Sequence, residues 1–175
     1  MLRVVITGAE STGKSTLTKQ LADYFKAPFT DEFVRTYATN LNRPILADDL
    51  EPIFKGQLNL EQSACSKEPR LVFHDTNLLS NKIYAQHYFE TLPAGLESEI
   101  LKQNYSLYLL CDTDIPWVAD GNQRDSPEAQ LKLQTFFINQ LNACPVDTVL
   151  ISGTKKERLE IAIQAVREKM TDRTL

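Results

Sequence analysis

The sequence predicts an α/β domain in which a five-stranded parallel sheet is flanked by helices. Three observations carry that expectation. Along the 175 residues, short apolar runs alternate with segments of helical period. The first run, Leu2-Arg3-Val4-Val5-Ile6, passes directly into a glycine-rich turn and then an amphipathic helix. Polar residues able to do chemistry cluster just after the apolar runs, where the carboxyl ends of parallel strands would gather them.

Taken in order, Leu2-Ile6 reads as the first buried strand and Lys14-Phe25 as the first helix, with Leu17, Leu21 and Phe25 as its packing stripe. A short strand at Phe29-Asp31 precedes helices over Glu32-Asn40 and Asp48-Lys67. Leu71-Asp75 is the third strand, followed by helices Asn77-Phe89 and Ala94-Gln103. Ser106-Cys111 and Thr148-Ile151 complete the sheet, and Pro127-Asn142 and Lys155-Met170 are the last helices. Only the loop before Leu71 and the stretch Asp112-Ser126 read as irregular. The length suits one domain over residues 1–175, with a lid-like segment at about 112–130.

Composition narrows the function. A net charge of -4 with scattered Lys and Arg gives no basic field, so nucleic acid is not an expected partner. Cys65, Cys111 and Cys144 are odd in number and fit no metal spacing, which argues against a disulfide framework. No leader pattern opens the chain and no apolar stretch approaches a membrane span, so a soluble, cytoplasmic protein is expected. The sequence does not set its oligomeric state.

Residues 8 to 16, Gly8-Ala9-Glu10-Ser11-Thr12-Gly13-Lys14-Ser15-Thr16, complete the pattern G-x-x-x-x-G-K-[ST]. This is a phosphate-binding loop, with a buried strand before it and a helix after it as its chemistry requires. Gly8 and Gly13 free the backbone to turn its N–H groups around a β-phosphate. Lys14 would reach the β/γ-phosphates, the Ser15 hydroxyl would ligate Mg²⁺, and the helix would point its positive end at the anion. ATP and Mg²⁺ are therefore the expected cofactors.

After the second strand, Glu32 either accepts a hydroxyl proton beside the γ-phosphate or is an acidic residue favoured at a helix N-terminus and ion-paired at i,i+3. Arg35, three residues on, can bind phosphate or orient that acid. After the third strand, Asp75 follows Leu71-Val72-Phe73 in a Walker-B-like arrangement, able to serve Mg²⁺ or a substrate hydroxyl or to cap the next helix. His74 alternates with Asp75 and reads as structural. In Asp112-Asp125, Arg124 is placed to neutralise charge on a transferred phosphoryl group, and Trp117 is able to stack on a flat heterocycle or to sit in the core. After the fifth strand, Gly153 and Thr154 either take an adenine edge through backbone hydrogen bonds or cap the last helix.

Four blocks together carry a resemblance. They are the phosphate loop with its Glu10, Glu32-Phe33-Val34-Arg35-Thr36-Tyr37, Phe73-His74-Asp75-Thr76-Asn77, and Pro116-Trp117-Val118-Ala119-Asp120-Gly121. In this order they resemble the nicotinamide riboside kinase domain of the bifunctional bacterial NAD-biosynthesis regulator and its stand-alone relatives among small AAA-type ATP-binding proteins. The resemblance implies a P-loop fold of the nucleoside-monophosphate-kinase type and transfer of phosphate from ATP to the 5′-hydroxyl of nicotinamide riboside, the alternatives being a kinase for another nucleoside or a nucleotide and a P-loop ATPase switch that is not a kinase. It further implies a substrate site including Glu32, Arg35, Tyr37, Asp75, Asn77 and Trp117. The regulator's adenylyltransferase and DNA-binding parts are not expected within these 175 residues. Asn77 stands where the family carries a second Asp, and Arg124 falls about a residue later than the family pattern. Asp31 stands where the bifunctional proteins carry an aromatic residue, so either the base is held by Phe33, Tyr37, Tyr84, Tyr88 or Trp117, or it is not nicotinamide.

Overall fold

The computed structural model describes residues 1–117 and 126–172. Its strands are β1 (Leu2–Thr7), β2 (Phe29–Thr30), β3 (Leu71–Asp75), β4 (Leu107–Cys111) and β5 (Thr148–Ile151). The helices are α1 (Lys14–Phe25), α2 (Phe33–Thr39), α3 (Leu50–Cys65), α4 (Leu78–Phe89), α5 (Leu96–Lys102), α6 (Pro127–Asn142) and α7 (Lys155–Asp172). All pairings are parallel, in the order β2-β3-β1-β4-β5, with Ile6 opposite Asp75 and Val4 opposite Leu107. β1 therefore sits centrally between β3 and β4, and its carboxyl end opens at the switch point where such sheets take ligands.

The period of two along each strand sorts the core into two layers. Val4, Ile6, Phe73, Leu109 and Ile151 face Leu17 and Leu21 of α1 and Ala162 and Val166 of α7. Val5, Tyr108 and Leu110 face Leu79 and Ile83 of α4 and Leu133, Phe137 and Leu141 of α6. Leu133 and Phe137 are wholly buried, and burial of such side chains stabilises by about 1.5–3 kcal/mol each. α6 begins where its sequence says it must. Ser126 accepts the Ala129 N–H at 3.2 Å and Pro127 occupies the first turn.

One expectation needs correction. The stretch from Asn40 to Leu46 is irregular rather than the flank of two helices, and a single 3₁₀ turn at Ala47–Asp49 leads into α3. Apolar patterning does not see this turn, because it is organised by one buried carboxylate, Asp49. The second layer also holds a buried polar cluster that the patterning gave no reason to expect. Arg3 of β1 donates to Glu61 of α3 at 2.7 Å, to Gln103 at 2.9 Å and to His74 Nε2 at 3.3 Å, and lies 4.6 Å over the Tyr105 ring. Since His74 Nε2 accepts, Nδ1 carries the proton and donates to Thr30 Oγ1 at 3.0 Å. Burial, reinforced by the Arg3 charge, pushes His74 down to about 3 and keeps it neutral.

Burial pushes Glu61 up to about 7, opposed by Tyr105, Arg3 and Gln57. A carboxyl raised in the folded state contributes stability that is complete below its ordinary value of about 4.3. That contribution is lost as the pH rises to about 7. Arg3→Met removes the partner that favours the charged form, so its cost should be larger near pH ~8 than near pH ~5.5. Urea unfolding should give a loss of about 3–5 kcal/mol at the higher pH. Equal losses at both pH values would mean that Glu61 does not titrate in this window.

Candidate active site

Strand β1 ends at Thr7 and the loop turns at once. Gly8 has φ +128°, and a Cβ there would stand 2.7 Å from the Cys111 carbonyl, so the position requires glycine. Gly13, at φ +81°, opens α1. Inside the loop, Thr12 Oγ1 donates to the Ala9 carbonyl at 2.7 Å and Lys14 Nζ donates to the same oxygen at 2.8 Å. Support comes from behind as well. Gln134 of α6 accepts the Ala9 N–H at 2.9 Å while donating to the Cys111 carbonyl at 2.9 Å, and Gln130 donates to the Glu10 carbonyl at 2.7 Å. Arg158 of α7, almost fully buried, donates to the carbonyls of Thr12 (2.9 Å), Asp112 (3.0 Å) and Gly153 (3.0 Å) and to the Asp114 carboxylate.

The ends of β2 and β3 bring two carboxylates to this loop. Glu32 precedes α2 with extended backbone and pairs with Arg35 at 3.5 Å. Asp75, only 2 % exposed, closes β3, and its Oδ1 has no partner among the described residues. Burial, then the Glu32 charge, pushes its carboxyl up to about 6, while the Ser15 hydroxyl bonded to it, Lys14 and Arg35 act the other way. Lys14, Ser15, Glu32, Arg35 and Asp75 thus form one electrostatic group.

Beside them lies a cavity of about 740 Å³ lined by Glu10, Lys14, Glu32, Arg35, Arg43, Asn81, Tyr84 and Tyr88, among others. The Tyr84 and Tyr88 rings stack with centroids 6.2 Å apart and 7° between planes. Both carboxylate oxygens of Glu10 and the Asn81 Oδ1 are buried there without a partner among the described residues. Burial raises the Tyr84 hydroxyl well above its ordinary value, and the charges of Glu32, Glu10, Tyr88 and Asp75 add to the rise. One cavity wall is held by Asp49, whose carboxylate accepts from Arg43 (2.6 and 2.9 Å), from the Leu46 N–H (2.8 Å) and from the Tyr37 hydroxyl (2.9 Å). The Arg43 hydrogen bonds, then the Leu46 N–H, hold Asp49 well below the usual carboxylate range.

Several expected site residues fall elsewhere. The Tyr37 hydroxyl is committed to Asp49 and the residue does not line the cavity. Asn77 is fully buried, caps α4 by accepting the Ser80 N–H at 3.2 Å, and donates to Tyr108 at 3.1 Å. It is a structural cap. Trp117 is half-buried and also does not line the cavity. The Gly153 N–H goes to Asp114 and the Thr154 N–H goes to Glu157 at 2.8 Å, so neither is available to an adenine edge. Thr154 caps α7 through a reciprocal box with Glu157. The Ala9 N–H is likewise engaged by Gln134 rather than turned toward an anion. Arg124 lies outside the described residues. Arg158, Gln130, Gln134, Asn81 and the Asp49–Arg43 pair were not anticipated. A signal existed only for the glutamines, which interrupt the Leu133, Phe137, Leu141 stripe of α6 at positions a buried helix face would fill with apolar residues.

A glycine-rich loop leading from the central strand of a parallel sheet into a helix, with carboxylates at the neighbouring strand ends, defines a P-loop protein of the nucleoside- and nucleotide-monophosphate-kinase fold. The family described as "AAA domain" matches residues 3–158, and the chain belongs to it. The chain is 25% identical over 173 residues to the "Trifunctional NAD biosynthesis/regulator protein NadR" of Escherichia coli (strain K12), covering 95% of this chain and 42% of that protein. It therefore spans less than half the length of that curated relative. A crystal structure of NadR protein in complex with NR superposes with a TM-score of 0.78 at 23% identity, over 97% of this chain and 50% of that one. A deoxyadenosine kinase from M. mycoides gives a TM-score of 0.61 at 11% identity, over 95% of this chain and 100% of that one.

Replacing Arg158 by Lys should destabilise the protein by about 2 kcal/mol or more, because one ammonium cannot span the acceptors that the guanidinium fork holds. Equilibrium unfolding measures this. An unchanged midpoint would show that the loop does not depend on the fork.

Proposed function

We propose that the protein is an ATP-dependent phosphotransferase acting on the 5′-hydroxyl of a nucleoside, and that the nucleoside is nicotinamide riboside. The observation that carries the choice of acceptor is the charge pattern of the cavity. Among the described residues its buried unpartnered groups, Glu10 and Asn81 Oδ1, accept hydrogen bonds, Arg35 is paired to Glu32 and Arg43 to Asp49, and the other lining cation, Lys14, sits at the phosphate loop on the Ala9 carbonyl. A nucleotide acceptor would need an uncompensated cation for its phosphate, whereas a cationic ring with ribose hydroxyls and an amide NH₂ supplies charge and donors. The relationship to NadR, and the NR named with its crystal structure, support the same reading.

Lys14 and the loop backbone would hold the phosphates of ATP. Ser15 and Asp75 suit Mg²⁺, since a hydroxyl bonded to a buried carboxyl that keeps one oxygen unsatisfied is the hard oxygen donor set this ion takes. When bound, the ion supplies charge neutralisation on the phosphates. Glu32 lines the cavity and Asp75 does not, so Glu32 is assigned as the base and Asp75 to the ion. The acceptor 5′-oxygen forms its bond to the γ-phosphorus as the bond to the β,γ-bridging oxygen breaks. The hydroxyl proton passes to Glu32, leaving ADP and the 5′-monophosphate. The stacked Tyr84 and Tyr88 offer the face on which the base would lie.

Release of ADP from ATP and Mg²⁺ should depend on an added nucleoside and be fastest with nicotinamide riboside across a panel that includes nucleoside monophosphates. Acceptor-independent hydrolysis, or preference for a monophosphate, would reject the proposal. Lys14→Ala should abolish transfer while cooperative unfolding is retained. Glu32→Gln and Asp75→Asn should each lower kcat by about a hundredfold or more. Added Mg²⁺ should partly rescue Asp75→Asn alone.

A further inference from the structure

Glu32 stands at the start of α2, a seven-residue helix with no fully buried residue, so this helix cannot set its own place. Its mount is on α3. At Gly56 the missing side chain leaves a notch for the Phe33 ring, which an added Cβ would overlap. The next residue, Gln57, is 0 % exposed and accepts the Phe33 N–H at 3.1 Å, satisfying one of the donors a helix start leaves unpaired. The other end of its amide donates to Glu61 Oε1 at 3.3 Å. Glu61 Oε2 in turn accepts from Arg3 and from Tyr105, each at 2.7 Å.

The direction of this chain of hydrogen bonds is imposed from the buried end. Above about pH 7, where the Glu61 carboxyl paired with Arg3 is ionised, it only accepts, so it draws the NH₂ of Gln57 toward itself and leaves the amide oxygen aimed at α2. We infer that Gln57 is a positioning residue for Glu32, with its amide orientation dictated by the Arg3–Glu61 pair. The inference rests on the assignment of Glu32 as the base. Glu61→Gln keeps the volume but reverses the logic. Arg3 would claim the new amide oxygen, the new NH₂ would face Gln57, and Gln57 would turn its own NH₂ onto the Phe33 N–H, donor against donor.

The test is a double-mutant cycle read by steady-state kinetics with ATP and nicotinamide riboside, at a pH above the value of about 7 at which Glu61 ionises. Gln57→Met should lower kcat by about tenfold or more, since displacing a reacting group by a fraction of an ångström is costly. The KM for ATP should stay within about twofold of wild type. In the Glu32→Gln background the same substitution should cause no further loss. Glu61→Gln should behave alike, and the cycle is run with it if Gln57→Met does not fold. Equal proportional losses in both backgrounds, or an unchanged kcat, would overturn the positioning role. Wild-type kcat in Glu32→Gln would instead overturn the assignment of Glu32, which is a separate and recognisable result.

Discussion

A phosphate loop of this type turns N–H groups inward and must therefore have its remaining peptide groups satisfied from outside. In this protein α6 and α7 do that. Gln134 joins the Ala9 N–H to the carbonyl at the end of β4, and Arg158 joins the Thr12 carbonyl to the segments that follow β4 and β5. The demand explains why two helices that otherwise pack through apolar stripes carry buried polar side chains at these points, and why Gly8 has room for no side chain. Without these ties the loop carbonyls would be buried unpaired, at about 1–3 kcal/mol each.

The same economy appears one layer away. β1 sends Val4 and Ile6 into an entirely apolar core and Arg3 to the other face, where a guanidinium, a carboxylate, a neutral imidazole and a phenol satisfy one another. The polar layer links β1, β3, α3 and Tyr105, two residues before β4, and through Gln57 it reaches the start of α2. The carboxylate edge of the site is thus held by buried hydrogen bonds, and its phosphate edge by backbone geometry.

What was legible in the sequence follows from which forces are local. Every strand was recognised within a residue or so, and α6 from Pro127 to Asn142 and the start of α7 at Lys155 were read correctly, because periodicity and caps are written in neighbouring residues. The phosphate loop, Glu32 and Asp75 come together because strand ends in a parallel sheet converge, which the order of the apolar runs already implied. Tyr37, Asn77 and Trp117 do not line the cavity, which local patterns could not report, because a side chain's direction depends on partners far along the chain, such as Tyr108 for Asn77. Arg158 was missed for the same reason. Its acceptors lie up to 146 positions away, and no spacing rule reports that.

Asp49 gathers Tyr37 from α2, Arg43 and the Leu46 N–H from the irregular segment, and it stands at the start of α3. A wall whose hydrogen bonds meet at one carboxylate has no independent parts to loosen in turn. Amide exchange from Tyr37 through Leu46 would then follow a single opening equilibrium, so this side of the cavity behaves as one small cooperative unit with its own free energy, below that of global unfolding.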